Sequence, residues 1–226
     1  MSKGITQIIK LLSFPDLIIS LLFLVLVLLS YGQTINMFYW IDDWGLVFNM
    51  LHPEILPGNL GHPAYRYLTT PFTFLYPYLK LNASAYFGLA VIQYFICATL
   101  LFYFLRSLTK NFWVALCGAS IFASGYIGSF AMYRISNSYQ LVQTAMLMIL
   151  AIWPLVVYFE NRRLRFYIIS AVMFTATLEF VFLRSQSLLP ITLLTSILAT
   201  NFAFNKKSFF IPQIPFVIIY CFFYFK

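Results

Sequence analysis

Apolar residues run through this chain in long blocks, and most of the Lys and Arg residues sit in the short polar breaks between them. A bilayer core needs about 20 apolar residues in a helix, so blocks of that length with almost no charge read as transmembrane segments. Seven are predicted, over 15–32, 86–105, 112–130, 139–159, 166–183, 187–204 and 208–225. The fifth and sixth are parted only by a tight turn near Arg184-Ser185-Gln186. The first has a long apolar run, Leu17 to Leu29, and the Gly32-Gln33 after it is not a small-x-small cleavage site. It therefore reads as a retained helix rather than a signal peptide. The fold class expected is an all-α polytopic membrane protein in a single transmembrane domain, 1–226, either whole or the N-terminal part of a longer protein.

One polar-interrupted stretch is long, the loop over 33–85. Loops of this length are usually functional or disordered, and this one is too aromatic for disorder. Within it Trp44, Val47, Phe48 and Leu51 follow the i, i+3, i+4, i+7 spacing of a helix face. That spacing predicts a short amphipathic helix on the membrane surface, stopped by Pro53 and Pro57-Gly58. A second juxtamembrane helix is expected to start near Pro63, with Pro71 and Pro77 breaking or kinking it.

Composition agrees with the blocks. Only 9% of residues are charged and 62% are hydrophobic, against about 25% charged in soluble domains. Cys97, Cys117 and Cys221 all fall inside apolar segments, which favours packing over disulfides or zinc. The net charge of +8 has a simpler source than nucleic-acid binding. With seven crossings, Lys3, Lys10, Arg106, Lys110, Arg162, Arg163, Arg165, Lys206 and Lys207 all fall on one side. The positive-inside rule makes that side cytoplasmic, puts the N-terminus inside and the 33–85 loop outside. Arg66, Lys80, Arg134 and Arg184 remain on the outer side, with the terminal Lys226.

Chemistry then has few places to reside. Of six acids, Asp16 reads as a helix cap and Glu160 as a loop charge; Asp42, Asp43, Glu54 and Glu179 lie at or near the outer face. Glu179 falls within an apolar segment, where a carboxylate is costly unless paired or wetted. The stretch "FYWIDDWGLVFNM" sets Asp42 and Asp43 between Trp40 and Trp44. One reading is capping, with Asp42 as N-cap and Asp43 in the first turn. The other is chemical: a carboxylate that takes a proton from a hydroxyl, or a pair that holds a divalent cation such as Mg or Mn. Arg66, Arg134 and Arg184 could converge on an anion, and forked guanidinium contacts suit phosphate. His62 could bind an anion or a metal, or be a plain loop residue. Tyr65, Tyr67, Phe72, Phe74, Tyr76 and Tyr78 could stack on sugar faces or a prenyl tail, or form an interfacial belt. "NAS" at 82–84 matches a glycosylation acceptor but lies close to the predicted membrane.

Taken in order, the first helix, the long outer loop opening on "IDDW", the downstream "GHPAYRYL" and the later "LEFVFLRSQSLLP" resemble the membrane glycosyltransferases of the GT-C fold. "GHPAYRYL" is similar to the HPP-x-Y stretch of that loop, with Ala64 where a second proline is common. "LEFVFLRSQSLLP" is similar to the K/T-E-x-x-x-L-L-P stretch of a later helix, with longer spacing. The resemblance implies an inverting transfer of a sugar from a polyprenyl-phosphate donor to an acceptor hydroxyl of a glycan, lipid or protein, on the outer face of a plasma or inner membrane. It implies Asp42 as catalytic base, Asp43 as its support or as a cation ligand, and Glu179 as the later acid; a divalent cation is the one cofactor considered. A transporter or flippase of a lipid-linked or anionic substrate is the alternative, on the strength of Glu179 and of Pro154 as a kink in the fourth segment. An assembly subunit is a third reading. An acyltransferase would more naturally place a His within the membrane, and His52 and His62 are both in the loop.

Overall fold

The computed structural model describes residues 14–52, 74–181, 187–200 and 210–224. Among them every regular element is helical, with no strand. In chain order these are α1 (Phe14–Tyr31), a 3₁₀ turn (Gly32–Asn36), α2 (Ile41–Leu51), α3 (Ala83–Thr109), α4 (Phe112–Ser124), α5 (Tyr126–Met132), α6 (Ile135–Asn161), α7 (Leu164–Val181), α8 (Leu188–Ala199) and α9 (Ile211–Tyr224). A short helical stretch also covers 74–79. Among the described residues, three spans are long and apolar enough to cross a bilayer: Asp16–Asn36, Ala83–Thr109 and Ile135–Asn161. Phe112–Ser124, Leu188–Ala199 and Ile211–Tyr224 are apolar but shorter. The structure is thus an all-helical protein with helices fit for a membrane, and the sevenfold crossing stays an expectation.

Local chemistry explains the joints. Asn82 caps α3 by accepting from the Ala85 N–H at 3.2 Å, and Asn111 caps α4 by accepting from the Trp113 and Val114 N–H groups at 2.9 and 3.2 Å. Lys110 and Arg162 close α3 and α6 in the left-handed region, at φ 55° and 53°. A basic side chain at that terminus complements the helix dipole, which offsets part of the strain of a non-glycine there. The turns at these residues are short, so α3 and α4 form one hairpin and α6 and α7 another, with α6 also lying along α3.

Packing follows residue size. Ala115, Ala119 and Ala123 on α4 are fully buried, and small residues one turn apart let helices approach closely. A Cβ at Gly118 would stand 2.8 Å from Leu105 Cδ1, so a larger residue there would make this leucine side chain shift. Phe23 and Val27 of α1 and Phe102 of α3 lie fully buried beside it. Further along, Phe174 and Phe216 meet edge to face at 5.0 Å and join α7 to α9. Pro154 sits inside α6 as the sequence indicates. Close to the hydrogen bond its ring removes, Ser170 of α7 donates to the Ala151 carbonyl at 2.5 Å.

The segment expected at 112–130 is not one helix. It breaks at Gly125, which takes an extended conformation (φ −77°, ψ 156°) between α4 and α5. A side chain there would collide with the Ile121 carbonyl. Two tyrosines seal the break. Tyr94 donates to the Phe122 carbonyl and Tyr31 to the Gly125 carbonyl, each at 2.5 Å. Backbone groups left open in hydrocarbon must find such partners. Both hydroxyls press on Gly128, where no Cβ would fit.

Polar contacts gather at the two ends of the bundle. At one end Arg106 pairs with Asp16 at 3.7 Å and Lys110 with Glu160, linking α3 to α1 and α6. Arg162, Arg163 and Arg165 are exposed at the same end. At the other end lie α2, Lys80 and the starts of α3 and α6, joined where Tyr139 donates to the Tyr86 carbonyl at 3.5 Å and Tyr86 to the Lys80 carbonyl at 3.2 Å.

Candidate functional site

The 3₁₀ turn carries the chain off the end of α1. Thr34 is buried and donates to the Tyr31 carbonyl at 2.7 Å. Phe38, Tyr39 and Trp44 then cluster, with centroids 5.2 Å (Phe38–Tyr39) and 5.8 Å (Tyr39–Trp44) apart. This cluster fixes where α2 begins. Trp40 is its N-cap, not Asp42 as the capping reading expected. Asp42 is the second helical residue, and its side chain lies outside the described residues.

Asp43 closes the first turn. Its backbone N–H donates to the Trp40 carbonyl at 2.6 Å, and its Oδ2 accepts from the Trp40 N–H at 3.0 Å. The capping role expected of the pair is therefore carried by its second member, from the third helical position. The other oxygen, Oδ1, accepts from the Ser136 N–H at 2.8 Å, across 93 residues of sequence. Ser136 is in the first turn of α6, whose N-cap is Arg134 and which has no side-chain cap of its own. One buried carboxylate thus satisfies open N–H groups at the starts of two helices, and both helix dipoles favour its charge. It is fully enclosed, at 0% exposure.

Tyr39 lies in the same enclosure. Its phenol is pushed up to about 12, first by burial, then by Tyr86 and by the charge of Asp43. The Tyr39 hydroxyl and Ser136 Oγ are both buried and have no hydrogen-bond partner among the described residues. The stripe predicted on α2 divides: Val47 is buried against the body, while Trp44, Phe48 and Leu51 stand about half exposed, as does Trp40. Seated on the start of α6, α2 presents these aromatics outward.

The remaining expected site residues fall in three groups. Arg134 is brought to the Asp43 locus as the N-cap of α6. Glu179 lies toward the same end of the bundle, because α7 runs back along α6. It lines a different groove of about 580 Å³ with Ala171, Thr175, Ala176 and, from α9, Phe223. No residue of α2 or of the start of α6 lines that groove. His62, Tyr65, Arg66 and Arg184 lie outside the described residues, as do Glu54, Tyr67, Phe72 and the helix expected from Pro63. For a cation, no cluster of three or more His, Cys, Asp or Glu among the described residues could hold a metal ion. Asp43, one of the two expected ligands, already faces an N–H donor on each oxygen.

Sequence reasoning passed over Ser136 and Tyr39. A signal for the first was present: "YRISNS" opens a long helix without an acceptor side chain at its N-cap, so the acceptor had to come from elsewhere. No known family matches the sequence, and no curated protein or solved structure matches it either.

Proposed function

We propose that this chain is a membrane glycosyltransferase of the GT-C type, which moves a sugar from a polyprenyl-phosphate donor to an acceptor hydroxyl on the non-cytoplasmic face. One observation supports this most: the Asp43–Ser136 hydrogen bond clasps the first turn of α2 to the first turn of α6. In sequence, an acid, Asp42, adjoins Asp43, and a cation, Arg134, stands two residues before Ser136. Base and phosphate-stabilising charge are what such a transfer needs close together.

In this reading Asp42 takes the proton of the acceptor hydroxyl as its oxygen attacks the anomeric carbon from the face opposite the lipid phosphate. The new C–O bond forms, the bond to phosphate breaks, and the polyprenyl phosphate leaves with the electron pair. The anomeric centre inverts. Arg134, with Arg66 and Arg184 from the neighbouring loops, stabilises the developing phosphate charge. His62 and Tyr65 contact donor or acceptor. Trp40 and Trp44, half-exposed on α2, offer faces for the sugar or the lipid. Asp43 holds the geometry rather than reacting. The basic end of the bundle is cytoplasmic, so that the clasp faces outward.

The flippase reading rests on Glu179, a carboxylate on an apolar groove wall. One experiment separates the two. The chain in lipid nanodiscs or vesicles is given polyprenyl-phosphate sugars and candidate acceptors, and both transfer and bilayer crossing are measured. Transfer that falls about 10²–10⁴-fold in Asp42→Asn supports the transferase. Transfer unchanged in Asp42→Asn, or lipid crossing without any transfer, sinks it.

A further inference from the structure

α3 and α6 are each 27 residues long, a length of about 40 Å. The hydrocarbon core of a bilayer is about 30 Å thick, and its headgroup zones bring the whole to about 40–45 Å. Each helix therefore reaches from one headgroup zone to the other. Their C-terminal ends meet at one level, where Lys110, just past α3, pairs with Glu160 of α6. Exposed apolar side chains mark the boundary there. Trp113 at the start of α4 is 69% exposed, and Leu164 and Ile168 at the start of α7 are 64% and 53% exposed. Tryptophan favours the level where headgroups give way to hydrocarbon.

Cations at this level outnumber the acids that could neutralise them. Among the described residues the acids here are Asp16 and Glu160, and each is already paired, with Arg106 at 3.7 Å and with Lys110. Arg162, Arg163 and Arg165 remain, exposed and without an ion pair among the described residues. The turn that carries them is tight. The Arg162 N–H donates to the Tyr158 carbonyl at 2.7 Å, and the Phe166 N–H to the Arg163 carbonyl at 3.0 Å. The Arg162 guanidinium stands 5.8 Å from the Phe159 ring centre, and that of Arg165 stands 4.8 Å from the Phe166 ring centre. A ring face positions a guanidinium but leaves its charge and its edge N–H donors open. Three such charges on one turn, at headgroup level, call for an anion from outside the chain.

We propose that the turn between α6 and α7 is a binding surface for anionic phospholipids of the adjoining leaflet, whose phosphate oxygens accept from the guanidinium N–H groups of Arg162, Arg163 and Arg165. Net charge makes the selection. A zwitterionic headgroup carries its own ammonium beside the phosphate and gains little from further cations. An anionic headgroup has none, and each Lys or Arg at a membrane surface strengthens its association about fivefold. A soluble polyanion fits less well, because Leu164 and Ile168 stand exposed beside the cations and suit hydrocarbon rather than water. The surface requires that the chain sit in a bilayer, not that it transfer a sugar, and it lies at the opposite end of the bundle from the Asp43 clasp.

The test places the full chain in phosphatidylcholine vesicles with traces of spin-labelled phosphatidylglycerol or spin-labelled phosphatidylcholine. The immobilised fraction of each label gives their relative association with the protein. Phosphatidylglycerol is favoured several-fold at low salt, and the preference shrinks as salt rises. Replacing Arg162, Arg163 and Arg165 together by Gln removes most of it. Replacing the same three by Lys keeps it, which separates charge from fold, and Lys80→Gln at the other end leaves it unchanged. A phosphatidylglycerol with a photoactivatable headgroup cross-links to the peptide that spans the α6–α7 turn. Equal association of the two lipids with the wild-type chain would overturn the proposal. So would a preference unchanged in the Gln variant or lost equally in the Lys variant, displacement of the labelled lipid by inorganic phosphate at matched ionic strength, or capture of RNA through the same arginines in place of the lipid.

Discussion

Asp42 and Asp43 are adjacent in sequence, the proposed reaction gives them different roles, and variants should separate them. Asp43→Ala strands the Ser136 N–H in a buried place and the Trp40 N–H in a partly buried one. Two charge-assisted caps are lost at once, so a stability loss of about 2–4 kcal/mol is expected, read from thermal or denaturant unfolding in micelles. Asp42→Asn should change stability by less than about 0.5 kcal/mol while removing transfer. If Asp43→Ala unfolds no more easily than Asp42→Asn, the clasp is not a structural element. Tyr39 gives a second handle. Its hydroxyl is buried without a partner among the described residues, so Tyr39→Phe should be neutral or slightly stabilising at pH 7. Its folded-state value is raised, from 10 to about 12. The unfolded chain therefore gives up this proton first, and the stability tied to the neutral phenol is intact below pH 10 and lost as pH rises through 12. Tyr39→Phe should flatten that alkaline decline relative to wild type in a pH series of unfolding midpoints; an unchanged slope refutes the assignment.

At the scale of elements, what the sequence made legible was the material of the helices and the chemistry of their ends. Apolar runs located the long helices to within a few residues, as 83–109 against the expected 86–105 shows. The break at Gly125 was hidden because hydropathy has no term for direction: 112–130 is apolar throughout, and the Tyr31 and Tyr94 hydroxyls that bond the carbonyls at the break are distant in sequence, with the Gly128 N–H adding a local bond to the Gly125 carbonyl. The cap on α6 was hidden for the same reason, since Asp43 reaches it from 93 residues away. These long-range partners yield a prediction. Gly128→Ala places a methyl against both tyrosine hydroxyls and should destabilise by about 1–3 kcal/mol. Adding Tyr31→Phe to Gly128→Ala makes room while surrendering one hydrogen bond, so the double variant should be less unstable than the sum of the two single ones. Strict additivity in that cycle would mean that Gly128 does not hold the tyrosines in place.

For the whole molecule, the proposed chemistry depends on which end of the bundle faces out. The structure separates two ends. The pairs Arg106–Asp16 and Lys110–Glu160, with Arg162, Arg163 and Arg165, mark one; Asp43, Lys80 and Arg134 mark the other. The sequence expected this separation from charge spacing alone, because Lys and Arg at the two ends of each apolar block must lie a bilayer apart. It could not supply the convergence of α2 with α6, which is a matter of packing. The surplus of basic residues predicts that the Arg163 end is cytoplasmic. Single cysteines at Lys80 and Arg163, in a background where Cys97, Cys117 and Cys221 are replaced by Ala or Ser, provide the check in whole cells. A membrane-impermeant maleimide should modify Lys80→Cys in intact cells and Arg163→Cys only after permeabilisation. The inverse pattern would place Asp42 in the cytoplasm, where the acceptor hydroxyl of the proposed reaction is not found, and the transferase reading would have to be abandoned even if the clasp itself held.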